Sequence, residues 1–207
     1  MNTYTRALPT VLIAAFTLLS LNSCSLLVPA VTSEFSQLRA GQYRLDPLHA
    51  SLLFKVSHLG LSTYVGRFNR FDASLDFDPT DIGSAQLQAS IYTASIDTNN
   101  AQLDQTLRGS SWLDSDRFPE ARFHCSRVTA TGSGFNFDGY LTLHGVSRPI
   151  SLHGKFLGAA VNRLNGRYTL GFRASGSINR ADFGIDSYLA MIGNKVTLEI
   201  EAEFLRQ

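Results

Sequence analysis

Histidine is the side chain best suited to metal binding or acid-base chemistry near neutral pH, and this chain has five. His49 and His58 flank the apolar run of "DPLHASLLFKVSHLG", residues 46–60. Along one strand they have opposite parity, so without a bulge they face opposite sides and cannot share an ion. His144 and His153 fall on the polar face of one expected hairpin. There His153 would lie opposite Tyr140, four residues from His144, roughly 13 Å away at about 3.3 Å per residue. His124 alternates with Phe123 and Cys125 and so faces outward. No HExxH, GxSxG, P-loop or GxGxxG is present, and nothing local supports a Ser-His-Asp arrangement. The two cysteines, Cys24 and Cys125, form no CxxC pair, and Cys125 reads as a small buried residue. Arg180 and Asp182 read as an ion pair in a surface turn. Neither a metal site nor a catalytic residue is therefore expected. His58 stands apart, because counting in twos through Ala50, Leu52, Phe54 and Val56 places it at the end of an apolar row. At a barrel mouth it could offer a polar contact.

The elements that must position these residues are strands. "GFNFDGYLTLH" (134–144) and "PISLHGKF" (149–156) alternate apolar and polar residues, the signature of half-buried strands. Joined through Gly145–Arg148, they predict a hairpin whose paired numbers sum to 293, with Leu143 opposite Ile150, Leu141 opposite Leu152 and Asp138 opposite Lys155. "RYTLGFRASGSI" and "KVTLEIEAEF" repeat the pattern, and weaker alternation marks 50–58, 71–77, 85–93 and 121–130. Only residues 99–109 look helical, with Leu103 and Leu107 four apart and an Asn available as cap. About eight strands with one apolar face each predict an all-β sandwich or closed antiparallel barrel. Such a barrel is filled by its own side chains or holds one small ligand. Gly139, Gly154, Ala174 and Gly176 on the inner face hint at room inside.

At 207 residues and 44% hydrophobic composition, one domain is the default. Residues 1–23 have the layout of a secretory signal: basic Arg6, an apolar run from Leu8 to Leu21, then small or polar residues. Leu21-Asn22-Ser23-Cys24 resembles the bacterial lipoprotein signal, which implies lipidation of Cys24. Residues 24–40 would then be a tether, and Ser25 after the cysteine resembles an outer-membrane address. Removal of residues 1–23 leaves 17 basic and 17 acidic residues (18 − 1 against 17). That balance argues against nucleic acid.

Several motifs, in order, resemble those of the YceI-like family of lipid- or polyisoprenoid-binding bacterial envelope proteins. "GYLTLHGVSRPISLHG" is similar to its G-x-L-T-x-x-G-V-T/S-R/K-P-V/I signature. "YRLDPLHASLLFKVSHLGLSTYVGRF" resembles its Y-x-I-D-x-x-H-S, F-x-V-x-H-x-G and V-x-G-x-F elements. "SIDTNN", "LRGSSWLDSDRFPEARF", "INRADFGID" and "VTLEIEAEF" follow, so the likeness covers about residues 42–205. Two departures stand out. The family's helix commonly carries R-D-x-H-L-R where this chain has Leu103-Asp104-Gln105-Thr106-Leu107-Arg108, and Cys125 stands where Ser is frequent.

The resemblance implies a lipocalin-like extended antiparallel barrel over residues 41–207. Its apolar cavity would hold a long-chain amphipathic molecule, such as a polyisoprenoid, isoprenoid quinone or fatty amide, without cofactor or chemical conversion. Strand parity assigns the lining to Phe54, Val56, Phe71, Leu75, Phe77, Phe123, Phe135, Phe137, Leu141, Leu152, Tyr168, Leu170, Phe172 and Leu198, with His58 as polar contact. The partners expected are the lipid, a membrane reached through the anchor, and a second copy of the chain. The place expected is the periplasmic face of a bacterial envelope, as an outer-membrane lipoprotein or else a soluble periplasmic protein. Two competing readings are an enzyme or redox accessory acting on an isoprenoid quinone through His58, Arg180 or Asp182, and a filled barrel serving as an interaction module.

Overall fold

The computed structural model describes residues 28–207. Residues 1–27, with the signal segment and Cys24, lie outside the described residues.

Eight antiparallel strands close into a barrel with one helix. Around the ring run β1 (Gly41–His58), β10 (Ile192–Arg206), β9 (Tyr168–Asn179), β8 (Val146–Val161), β7 (Gly134–Leu143), β6 (Glu120–Thr131), β4 (Gln86–Tyr92) and β3 (Phe71–Phe77), which returns to β1. Pairing of β1 with β10 closes the ring. The first half of β1 also pairs with β3, while its second half, from Leu52, pairs with β2 (Ser62–Phe68), itself extended by β5 (Ile96–Asp97). Long strands bend round the barrel at register breaks, between Leu45 and Ala50, Cys125 and Arg127, and Phe156 and Gly158. The first break contains Pro47, which has no N–H for the ladder.

The β7–β8 register corrects the expected one. Leu143 pairs with Val146, Leu141 with Arg148 and Phe137 with Leu152, so the paired numbers sum to 289. The cause is the turn. His144 (φ 53°) and Gly145 (φ 75°) are both left-handed, which makes a two-residue I′ turn whose twist suits the flanking strands. His144 is thus a turn residue, donating from Nδ1–H to the Phe183 carbonyl (3.1 Å) with its ring 4.9 Å from Phe118. His153 lies opposite Asn136 rather than Tyr140 and hydrogen-bonds Asn136 and Ser133 on the exposed face. Because the slip is even, every residue kept its expected face.

The helix α1 spans Ala101–Arg108, with the Asn100 side chain accepting from the Gln102 and Leu103 amides. It lies beside β5, where Arg108 donates to the Ile96 carbonyl (3.0 Å). The far end of the tether segment is not free. Thr32 exchanges backbone hydrogen bonds with Ala159, and Phe35 packs its ring 5.6 Å from Phe135 and 5.5 Å from Phe156. Any free tether therefore ends before Thr32.

Candidate functional site

The inner faces of the strands do not meet everywhere. A cavity of about 560 Å³ runs through the barrel, within the range of small-molecule sites. Its wall follows β10 from Ile192 to Phe204, about 30 Å along the axis after allowing for strand tilt. The interior is therefore not filled by its own side chains. Of the small residues expected on the inner face, Gly154 and Ala174 line the cavity and Gly139 and Gly176 do not; the Phe137 ring lies over Gly154 and the Leu152 side chain over Gly176. Close approach of the Phe54 ring likewise requires glycine at position 66.

Of the residues assigned to the lining by parity, Phe54, Val56, His58, Phe71, Leu75, Phe123, Phe137, Leu141, Leu152, Phe172 and Leu198 line the cavity. Phe77, Phe135, Tyr168 and Leu170 do not. They belong to a packed end, where the Phe77 ring lies 6.4 Å from Tyr43, Phe135 meets Phe35, and Tyr168 and Leu170 are buried. Parity fixes which side of the sheet a residue faces but not how far along the axis it lies. In this packed end burial pushes the Tyr43 phenol up to about 12, with Tyr168 adding to the effect. Its hydroxyl donates to the Arg39 carbonyl (2.5 Å), and the Arg39 guanidinium sits 4.5 Å over the Tyr168 ring.

The opposite end is the mouth. His58 lies there, exposed, at the last pair of the β1–β2 hairpin and opposite Ile192. Around it the wall is completed by segments that parity does not reach: Leu103 and Leu107 of α1, Trp112 and Leu113 of the following loop, and Arg180 with Ile185. The leucines four apart were visible in the sequence as a helical stripe. Trp112 and Arg180 carried no periodic signal. Thr93 and Tyr64 bring hydroxyls to the lining, but these already donate to the carbonyls of Phe118 (2.7 Å) and Thr98 (3.2 Å).

Arg180 overturns the surface-turn expectation. It is 4% exposed and donates to three carbonyls: Nε to Gly193 (3.0 Å), Nη1 to Ile185 (2.9 Å) and Nη2 to Ile192 (2.8 Å). Its guanidinium also lies 5.3 Å from the Trp112 ring centre. Burial lowers its pKa, and Asp186 partly opposes that. Asp182 is exposed and accepts instead from Asn179 (3.3 Å). His58 and Arg180 thus both line the cavity, and Asp182 does not.

Outside the cavity, His49 donates from Nδ1 to Asp46 (2.9 Å), held by the bend that Pro47 introduces. Glu203 completes a group whose donor atoms fall within 4.8 Å of one another, the one such His and carboxylate grouping among the described residues. It is half open to solvent. His49 is exposed outside the cavity and His58 lines it, and parity could not show Glu203 arriving from β10. Cys125 is fully buried, with its thiol pointing at the carbonyls of Arg127 and Asp138. His124 faces solvent.

The YceI-like domain family matches residues 43–204. A UPF0312 protein of Yersinia pestis (strain Pestoides F) is 38% identical over 166 residues, covering 79% of this chain and 86% of the relative. One from Pectobacterium carotovorum subsp. carotovorum (strain PC1) is 35% identical over 193 residues, covering 92% and 97%. Among solved structures, Campylobacter jejuni YCEI protein superposes with a TM-score of 0.65 at 25% identity, covering 87% of this chain and 99% of that one. Burkholderia cenocepacia BcnA gives 0.70 at 20% identity over 77% and 98%. A polyisoprenoid binding domain from Saccharophagus degradans gives 0.58 at 15% identity over 82% and 100%. With the barrel, the motifs along its strands and these relatives in agreement, the chain belongs to the YceI-like family.

Proposed function

We propose that the barrel binds, stores or carries a long-chain lipophilic molecule, such as a polyisoprenoid, isoprenoid quinone or fatty amide, and releases it unchanged. One observation carries this reading: a continuous apolar cavity of about 560 Å³ inside a closed barrel, open beside His58. Each methylene withdrawn from water into such a wall gains roughly 0.8 kcal/mol, offset by the ordering of the chain. The polyisoprenoid-binding description of the Saccharophagus degradans neighbour supports the class of ligand. The residues that line the cavity would be the contact surface, with no cofactor and no covalent step.

The lipoprotein-like segment ending at Cys24 supports anchoring at the periplasmic face of the outer membrane, because two or more acyl chains hold a protein on a bilayer where one does not. A second copy of the chain remains a proposed partner.

The test is native mass spectrometry of the Cys24→Ser chain without residues 1–23, purified without detergent. A non-covalent adduct that organic solvent extracts is the expected result. An unliganded mass, together with no affinity for a panel of isoprenoid and fatty ligands, overturns the reading.

A further inference from the structure

Among the described residues, Arg180 is the one buried cation of the cavity wall. Arg173, the other arginine on the lining, directs its guanidinium outward to Glu201 (2.5 Å) and is 63% exposed. None of the ion pairs among the described residues includes Arg180. Its direct contacts are neutral carbonyls and the face of Trp112, and Asp186 acts on it only through space, without an ion pair. A guanidinium has five N–H groups, so the three carbonyls leave one unused on Nη1 and one on Nη2. Buried charges are ordinarily paired, because a desolvated cation without an anion is costly. Here that cation sits at one end of an otherwise apolar chamber.

We infer that Arg180, beside Trp112, is the head-group site of the cavity, and that the ligand is an amphiphile with an anionic oxygen head, a carboxylate or a phosphate, on a long apolar tail. This rests on the lipid-binding reading above and narrows it. An anionic oxygen pair takes both unused N–H groups and neutralises the charge, in hydrogen bonds about twice as strong as neutral ones. The carbonyls of Gly193, Ile185 and Ile192 hold the guanidinium in place, so little side-chain entropy is lost on binding. The tail then runs from the mouth toward Phe172 and Phe204, where the packed aromatic end stops it.

The binding of stearic acid, octadecyl phosphate and methyl stearate to the Cys24→Ser chain, measured by titration calorimetry in mildly alkaline buffer, decides the matter. The expected result is that the acid, the phosphate or both bind about tenfold or more tightly than the ester. The better of the two identifies the head. Arg180→Met should remove that preference, bringing the acid and the phosphate to the ester's affinity in the same variant. Equal affinity for all three overturns the head-group inference while leaving the lipid-binding cavity standing. Binding of none overturns both. A preference that survives Arg180→Met overturns the assignment to Arg180.

Should that variant not fold, the unaltered site still reports, because Trp112 is the chain's single tryptophan. A stearate carrying a nitroxide near its carboxyl should quench Trp112 emission more than one labelled near its methyl end. The reverse order overturns the placement.

Discussion

The ring of Phe54 lies across Gly66, its cross-strand partner on β2, where any Cβ would collide with it. Phe54 lines the cavity, so the glycine allows its ring to lie flat against the sheet instead of standing into the lumen. Gly66→Val should displace that ring and cost about 1–3 kcal/mol by overpacking. In a Phe54→Ala background the same change should cost much less. A double-mutant cycle in urea measures the difference, and equal costs in the two backgrounds would show that the pair is not coupled.

Ala174 lies midway along the wall, paired with Ile200 on one side and Gly154 on the other. Ala174→Trp puts an indole into the lumen. Excluding even two methylenes of a tail removes about 1.6 kcal/mol of burial, on the order of tenfold in affinity. Methyl stearate binding should fall by at least that much while the far-ultraviolet circular dichroism stays that of the parent. Unchanged affinity would mean that the tail does not pass Ala174.

The sequence revealed sidedness better than position, for a physical reason. Period-two alternation is a local property of each strand, so an inner-face residue such as Leu141 is recognisable without knowledge of its partners. Register depends on the turn, and His144 adopts φ 53°, a conformation uncommon for any residue but glycine. That single residue moved the β7–β8 pairing by four while leaving each face intact. Phe135 and Phe137 share a face, yet only Phe137 reaches the cavity, because Phe35 folds back from the N-terminal segment onto Phe135. No local pattern announces such a contact. The burial of Arg180 was hidden for the same reason: its acceptors on Ile185, Ile192 and Gly193 are backbone carbonyls, which leave no trace in side-chain composition.

The Asp46–His49 contact makes part of the stability depend on pH. The hydrogen bond to Asp46, then its charge, raises the His49 pKa above its ordinary 6.5. Burial would raise Asp46, but hydrogen bonds from His49 and the Leu48 amide outweigh it, and its pKa falls below 3.8. The raised histidine contributes stability fully below pH 6.5 and loses it as pH climbs through the folded-state value. The depressed aspartate contributes above pH 3.8 and loses its share as pH falls through its own folded-state value. The contact is therefore strongest between those limits. Thermal melts of the parent and His49→Gln should differ most near pH 5 to 6 and converge above neutrality. A constant difference across that range would remove the ion pair as the cause.

The two cysteines allow the anchor to be tested with one reagent. Burial raises the Cys125 pKa, and Asp138 adds to that against a backbone hydrogen bond from Arg127. With so little thiolate and no exposure, Cys125 should resist Ellman's reagent in the native protein. Denaturation exposes it. If Cys24 carries a thioether-linked lipid, the denatured protein from membranes should titrate one thiol, and a Cys24→Ser protein without residues 1–23 should also titrate one but appear in the soluble fraction. Two thiols in the denatured membrane-derived protein would show that Cys24 is unmodified. The membrane association would then need another source, such as the exposed Leu59, Leu61 and Met191 side chains on the loops joined by the Leu59 amide to Met191 carbonyl hydrogen bond (2.7 Å) at the mouth.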